Sequence, residues 1–274
     1  MPRIPIEDTF ADIIAKAQRG LGVADVDLCK KAEVSLADLK RVKSGEVDDA
    51  VLRRVARHLR LSPNALEDLA HSRWYPEAPV FPHGFAIFNT KFEDMAVNSY
   101  LVWDGRSKGA AAFDTGADCS GVLDTIKSEK LRLQSVFITH THDDHVADLK
   151  RLAGETGAQV WASEREPVDY PGAQTFKENA HFHVGTLSIK ALSTWGHSQG
   201  QTTFFVTGLS YPLAVVGDSL FAGSMGGSKD HYLEQHRNDA EKILTLQRDT
   251  VLACGHGPLT TVGQERRHNP FFST

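Results

Sequence analysis

The chain has 274 residues, of which 41% are hydrophobic and 24% are charged, proportions that are ordinary for a globular protein of one or two domains. Its net charge of −5 and its pI near 6.2 argue against nucleic-acid binding through bulk charge. The sequence has neither the pattern of a signal peptide nor an apolar run long enough to cross a membrane. We therefore expect a cytoplasmic protein without a membrane partner.

The first 72 residues predict a small all-α domain, because their apolar positions recur at helical spacing. Five short helices are indicated, the third ending near Gly45 and the fifth opening at Ser62-Pro63. The segment from Ala24 to Gly45 resembles the helix-turn-helix of phage repressors. That resemblance raises DNA binding as one hypothesis for the domain.

Several residues of this segment argue against DNA binding. Asp25 stands where the resembled motif has a glutamine that contacts phosphate, and Leu36 and Ala37 stand where side chains should reach base edges. Residues 1–72 contain 12 Lys and Arg against 12 Asp and Glu, so their net charge is zero. We therefore favour self-association into a homo-oligomer, or docking of a protein partner, over DNA binding, which stays open as the alternative.

Residues 73–83 contain three prolines and predict an extended linker. Beyond it, short β-rich runs alternate with helical stretches, which predicts an α/β domain over residues 84–274. Among its early elements, strands are expected at 85–88, 96–103, 110–113 and 135–139. Helices are expected at 121–131, before the last of these strands, and at 146–152, after it.

The densest group of reactive side chains lies at residues 139–145, which read THTHDDH and follow a short apolar run. Imidazole and carboxylate groups together suit Zn, Fe or Mn rather than Ca or Mg. His140 and His142 are two residues apart, so on an extended backbone they point the same way and can share one ion. Asp144 and His145 lie just beyond, where they can serve a second ion or a metal-bound water.

The pattern His-x-His-x-Asp-His resembles the first metal motif of the metallo-β-lactamase-fold hydrolases. Three later segments are similar to the third-histidine, bridging-aspartate and last-histidine motifs of that family, in order: GHSQGQT at 196–202, VGDSLF at 216–221 and CGHGP at 254–258. The similarity is greatest to short members of the glyoxalase II (hydroxyacylglutathione hydrolase) branch. It implies an α/β fold, an αββα sandwich, which here follows the all-α domain.

The resemblance implies a site with two divalent metal ions, which we expect to be Zn, with Fe or Mn as alternatives. The implied ligands are His140, His142 and His197 for the first ion and Asp144, His145 and His256 for the second, with Asp218 bridging the two. Asp114 is expected to hydrogen-bond behind these ligands and fix their orientation.

The implied reaction is hydrolysis of a thioester or ester in a small acyl substrate by a metal-bridging hydroxide. Asp144 is the expected catalytic carboxylate, which orients the hydroxide. Candidate substrate contacts are His231, Tyr232 and His236, which follow the bridging-aspartate motif.

Other functions stay open at this point. A lactonase is the first alternative, although Phe221 stands where the resembled lactonases have tyrosine. A mononuclear iron persulfide dioxygenase is a second, but it does not need His145 and His256 as ligands. The third is a sensor or transcriptional regulator that uses the helix-turn-helix-like segment. Two residues depart from the family pattern, Trp195 in place of proline and Gly227 in place of arginine. Full glyoxalase II carries an added C-terminal helical domain for the glutathione moiety, which we do not expect here, so the resemblance leaves the substrate unassigned.

Overall fold

The computed structural model describes residues 3–79, 81 and 83–273. In its first part the helices are α1 (Phe10–Gly20), α2 (Asp25–Ala32), α3 (Leu36–Lys43), α4 (Asp49–His58) and α5 (Pro63–Ala70). Three of them begin with a side-chain cap, in which Thr9, Ser35 or Asp48 accepts a hydrogen bond from the third backbone N–H of the helix. The all-α region predicted from the sequence is confirmed.

The first sheet of the α/β part contains six strands within the described residues. In spatial order they are β1 (Phe85–Phe92), β2 (Met95–Trp103), β3 (Gly109–Phe113), β4 (Arg132–Phe137), β5 (Gln159–Ser163) and β6 (Gln174–Phe176). The pairs β1–β2 and β2–β3 are antiparallel, and the later pairs are parallel. Its outer face packs against α6 (Ser120–Ser128) and α8 (Leu149–Thr156), and the short helix α7 (Asp143–Val146) follows β4.

The second sheet also has six strands among the described residues. In chain order they are β7 (His181–Val184), β8 (Leu187–Ser193), β9 (Thr202–Thr207), β10 (Leu213–Gly217), β13 (Val251–Cys254) and β14 (Thr260–Thr261), and their spatial order is β14-β13-β10-β9-β8-β7. The remaining elements are the hairpin β11 (Leu220–Phe221) and β12 (Ser224–Met225), α9 (Tyr232–Asn238), a π-helical turn (Asp239–Ile243) and α10 (Val262–His268).

The two sheets face each other across an apolar core. Phe113 and Phe137 of the first sheet contact Phe204 of the second, with ring centroids 5.4 Å and 5.2 Å apart. Helices cover the outer face of each sheet, where further apolar side chains are buried. This arrangement is the αββα sandwich that the sequence predicts.

The helical region packs on the sandwich through a shared core. Tyr232 lies in the apolar cluster of the helices, against Gly20, where an added Cβ atom would overlap its ring. Lys16 Nζ donates to the carbonyl oxygen of Met225 at 3.0 Å and pairs with Asp8. The first five helices are therefore joined to the sandwich by apolar burial as well as by polar contacts.

The structure differs from the sequence prediction just after β4. Asp144 and His145 lie on the helix α7, whereas the sequence predicts a loop at these positions and a helix only from residue 146. Acidic residues in a first helical turn are favoured by the helix dipole, and Asp143 and Asp144 both stand there. No helix in the described part of the chain combines the length and the hydropathy that crossing a membrane requires.

Glu265 of α10 is buried and should make the stability of the fold depend on pH. Burial raises its pKa to about 7, although Thr260, Asn269 and the Gly223 backbone donate hydrogen bonds to it. The folded protein thus keeps this proton to a higher pH than the unfolded chain does. The free energy of unfolding should therefore fall by about 3 kcal/mol from this group alone as the pH rises from about 4.5 to about 7.

Replacing Glu265 with glutamine should remove this slope, because the amide stays neutral. Urea unfolding at several pH values would give the free energy of unfolding of Glu265→Gln and of the wild type. Their difference isolates the contribution of Glu265, because the titration of other groups cancels. Glu241→Gln, at an exposed position of the π-helical turn, is the control. An unchanged slope in Glu265→Gln would contradict the prediction.

Candidate metal centre

The candidate ligands follow the carboxyl ends of strands in both sheets. His140 and His142 come after β4, His256 comes after β13, and Asp218 comes directly after β10. Asp218 is reached through Gly217, which has φ +51°, and a Cβ atom there would lie 2.6 Å from Thr139 Oγ1. Position 255 also requires glycine, because a Cβ atom there would overlap the carboxylate of Asp218.

The structure brings all seven predicted ligands into two adjoining groups. The first contains His140, His142, His197 and Asp218, and the second contains Asp144, His145 and His256. Within each group, one donor atom per residue lies within 4.8 Å of every other. The ligand role of these residues stays a prediction, but their convergence is what that role requires.

Asp218, counted with the first group, also lies next to the histidines of the second. Its Oδ2 atom is 3.5 Å from His197 Nε2 in the first group and 3.4 Å from His256 Nε2 in the second. Its Oδ1 atom is 3.2 Å from His145 Nε2. A carboxylate in this position can contact cations in both groups at once.

Hydrogen bonds behind the histidines orient their rings toward the centre. Nδ1 of His197 is 2.7 Å from the carbonyl oxygen of Gly227, and Nδ1 of His256 is 2.7 Å from that of Ala96. A carbonyl can only accept, so in the neutral form of each ring Nδ1 carries the proton and Nε2 keeps a lone pair for a metal. In the first group His142 presents Nδ1 instead, 3.0 Å from His140 Nε2.

Asp114 has the contacts expected of a residue that fixes the ligands. Its Oδ2 atom accepts from His145 Nδ1 at 2.8 Å and from Thr139 Oγ1 at 2.7 Å, and its Oδ1 accepts from the Thr139 N–H at 2.8 Å. Asp114 thus ties the start of the His-rich segment to His145.

Buried charge controls protonation in the cluster. Burial alone would raise the pKa of Asp218, but the neighbouring His145 and His256 outweigh it and hold this pKa well below its usual range. Burial alone would lower the pKa of His256, but Asp218 and a hydrogen bond to Asp144 raise it to about 11. The pKa of His140 is lowered by burial and then by His145. The cluster therefore favours cationic occupants, whether protons or metal ions.

The residues fit a pair of divalent cations. His145 Nε2 and Asp218 Oδ1 are buried and, among the described residues, have no well-aligned hydrogen-bond partner. Unsatisfied buried polar atoms are costly, and these two lie 3.2 Å apart, a separation at which both can contact one cation. The mixture of imidazole nitrogens and carboxylate oxygens suits Zn, Fe or Mn.

Glu166, in the turn after β5, connects two ligand segments and was missed by the sequence analysis. Its Oε1 accepts from the N–H and Oγ1 of Thr141, at 2.7 and 2.8 Å, and its Oε2 accepts from the Gly200 N–H at 2.6 Å. Gly200 is required here, because a Cβ would overlap the Glu166 side chain. Glu166 thus holds the segment of His140 and His142 against the segment of His197.

Replacing Glu166 with glutamine should weaken the affinity for the first metal ion by about 10- to 100-fold. The reason is that the amide N–H₂ group would face the backbone N–H of Thr141 or of Gly200. Competition with a chelating dye would measure metal affinity independently of turnover. Glu164→Gln, two residues away and exposed, is the matched control. If Glu166→Gln bound metal like the wild type, Glu166 would have no positioning role.

The predicted substrate contacts lie outside the two ligand groups. The ring of His231 contacts that of Trp195, with centroids 5.2 Å apart. Tyr232 is buried against the first five helices, and burial raises its pKa to about 12. His236 Nε2 is 3.0 Å from the carbonyl oxygen of Phe271. The structure thus gives Tyr232 and His236 packing contacts, and their role in binding substrate stays an untested prediction.

Comparison with known proteins identifies the family. A model described as the metallo-beta-lactamase superfamily matches residues 93–256. Hydroxyacylglutathione hydrolase GloC of Haemophilus influenzae is 27% identical over 200 residues, which cover 65% of this chain and 93% of that protein. The hydroxyacylglutathione hydrolase of Bartonella henselae is 32% identical over 158 residues, 57% of this chain and 61% of that protein.

A solved structure, TTHA1623 in a di-iron-bound form, is 25% identical to this chain. It superposes with a TM-score of 0.55, and the match covers 67% of this chain and 99% of that one. Since the family model matches more than half of its length, the chain belongs to the metallo-β-lactamase superfamily. It is a hydrolase of that superfamily with glyoxalase II-like relatives, as the sequence motifs predict.

Proposed function

We propose that this protein is a dinuclear metal-dependent hydrolase that cleaves a thioester or ester of a small acyl substrate. The observation that carries the proposal is the position of Asp218, whose carboxylate lies within 3.5 Å of histidines from both ligand groups. The relatives named hydroxyacylglutathione hydrolase favour a thioester over other acyl substrates.

In the proposed site, His140, His142 and His197 would hold one ion and Asp144, His145 and His256 the other, with Asp218 shared. Bound there, two divalent ions would supply a nucleophilic water of lowered pKa and a Lewis acid for the carbonyl oxygen. Zn is the first expectation, and the di-iron relative keeps Fe open.

Asp144 is the carboxylate best placed to accept a proton. Its Oδ2 atom is 3.2 Å from His256 Nε2 and 3.5 Å from His145 Nε2. Burial would raise the pKa of Asp144, but these two histidines lower it, so Asp144 stays ionised and can orient a water.

The proposal is tested by comparing substrates of one acyl group on the metal-loaded protein. A hydroxyacyl glutathione thioester, a simple alkyl thioester, the matching oxygen ester and a γ-lactone would be assayed in parallel. We expect the largest kcat/KM for a thioester. A larger value for the lactone would favour the lactonase alternative, and oxygen consumption with a glutathione persulfide would favour the dioxygenase.

For the helical region we propose self-association rather than DNA binding. Two cations of α3 that could meet phosphate are already paired, since Lys43 Nζ is 2.8 Å from Asp25 and Arg41 lies 2.8 Å from Asp38. Two apolar side chains of α2 and α3 face solvent, with Val26 72% and Leu36 43% exposed. An apolar surface next to paired charges suits a protein partner better than a phosphate backbone.

The double variant Val26→Glu, Leu36→Glu should reduce the oligomer to monomers in light scattering after gel filtration, because it places charge in an apolar contact. Leu233→Glu, which changes an apolar residue of α9 that is 56% exposed, is the control. A monomeric wild type would contradict the proposal, as would sequence-specific DNA binding in a selection experiment.

A further inference from the structure

The segment 224–227 is held by side chains from four parts of the chain. Its four carbonyl oxygens each accept a hydrogen bond: Ser224 from Asn269 Nδ2 at 2.8 Å, Met225 from Lys16 Nζ at 3.0 Å, Gly226 from Gln235 Nε2 at 3.0 Å and Gly227 from His197 Nδ1 at 2.7 Å. The last of these bonds orients a candidate ligand of the first group. The position of the segment therefore affects how His197 presents its Nε2 atom.

Lys16 is the donor that comes from the helical region. Its side chain is 18% exposed and pairs with that of Asp8, which is 10% exposed. The Oδ2 atom of Asp8 also accepts from Ser224 Oγ at 2.5 Å. An ion pair so far removed from water contributes little net stability, because the loss of hydration offsets the attraction. Its polar contacts with both residues of β12 instead fix where that strand lies relative to α1.

Lys16 also lies against Gly227. Apart from the neighbours of Gly227 in the chain, a Cβ atom added there would have one heavy atom of the described residues within 4 Å, the Cε of Lys16 at 3.9 Å. Glycine gives the backbone more conformational freedom than any other residue. On this side of Gly227, Lys16 is therefore the side chain that limits movement of the carbonyl group to which His197 donates.

We propose that Lys16 and Asp8 are positioning residues of the metal centre, which fix the Gly227 carbonyl oxygen and thereby set the affinity for the first ion. The proposal rests on the proposed dinuclear hydrolase function, and it assigns the helical region a part in that site. Loss of a direct hydrogen-bond partner of a ligand weakens metal binding about 10- to 100-fold. Lys16 acts through Gly227 rather than on His197 itself, so its loss belongs at the lower end of that range.

The test is the substitution Lys16→Met, which removes the ammonium group and keeps a long side chain beside Gly227. Competition with a chelating dye should show a zinc affinity about tenfold lower for the first ion and unchanged for the second. Lys43→Met is the matched control, because Lys43 Nζ pairs with Asp25 inside the helical region, at 2.8 Å. It removes the same charge and one ion pair, and it should leave both affinities at their wild-type values.

Nuclear magnetic resonance of protein labelled with ¹⁵N at histidine identifies which ion is affected. In the zinc-loaded wild type, the Nδ1 protons of His197 and His256 should both exchange slowly with water, because each ring donates to a backbone carbonyl oxygen. Lys16→Met should speed the exchange of the His197 proton alone, since His256 donates to Ala96 of β2, outside the segment 224–227. A role confined to packing the helices onto the sandwich would leave the His197 proton unchanged.

Asp8→Asn covers the case in which Lys16→Met does not fold, and urea unfolding would show which variants fold. Asparagine keeps the size of the side chain but loses the charge that holds Lys16, so the first ion should again bind more weakly, by a smaller factor. The inference is wrong if the folded variants bind both ions like the wild type, or if they weaken both ions equally.

Failure of the hydrolase proposal gives a different result, which is a wild type that binds two ions but hydrolyses no thioester or ester. The two zinc affinities and the exchange of the His197 proton then still decide the inference. A wild type that binds no divalent ion would overturn both proposals.

Discussion

Replacing Asp218 with alanine should reduce hydrolysis of the best thioester by about a thousandfold or more, the scale seen when a group that stabilises reacting charge is lost. Asp218 is buried, and its two oxygens lie within 3.5 Å of His145, His197 and His256. Without this carboxylate, the two ligand groups share no donor. We expect the purified variant to lose at least one of its two metal ions.

The fold should survive this change, because it removes a buried charge rather than a packing contact. Asp143→Ala is the matched control, since Asp143 belongs to the same acidic motif as Asp144 but is exposed and lies outside both ligand groups. Asp218→Asn keeps the shape and tests the charge alone. Full turnover with two bound ions in Asp218→Ala would show that Asp218 is not the bridge.

The positions of the candidate ligands could be predicted because each lies in a short local pattern. His140 and His142 follow the apolar strand β4, and Asp218 follows β10, whose residues are all buried. A polar cluster at the end of a buried strand has few structural reasons to be there. The sandwich was predictable because the metal motifs resemble, in order, those of a family with that fold, whereas the alternation of strands and helices by itself predicts only an α/β domain.

Glu166 could not be predicted, because its contacts are distant in the sequence. It is separated from Thr141 by 25 residues and from Gly200 by 34. Its own surroundings form an exposed turn between β5 and β6, where a glutamate is ordinary. The position of residues 3–9 could not be predicted for a similar reason, since the approach of Glu7 to Gly257 joins residues that are distant in the sequence.

The role of Tyr232 shows a further limit of sequence patterns. Its place just after the bridging-aspartate motif suggests a wall of the substrate site, yet its ring packs against Gly20 of α1. Only the association of the helical region with the sandwich reveals this contact, and the charge count of residues 1–72 carries no information about it. A region that looks separable in the sequence thus shares its core with the αββα sandwich.

Removal of the metal ions by a chelator should abolish hydrolysis, and the reloaded protein should bind two divalent ions per chain. Three imidazoles converge with Asp218 in one group, and a carboxylate and two imidazoles converge in the other. Seven donor residues exceed the four to six donors that one such ion takes. Native mass spectrometry and elemental analysis would count the ions after loading with Zn, Mn or Fe(II).

Two single variants can separate the two ions. His142→Ala should weaken the first ion and leave the second, because His142 contacts His140 and His197 but no member of the other group. His256→Ala should do the reverse, because His256 lies 3.2 Å from Asp144. Both variants should retain one ion and lose most of the hydrolysis. A wild type that is fully active with one ion at saturating metal would contradict the dinuclear site, and the remaining histidine group would then hold protons instead of a metal.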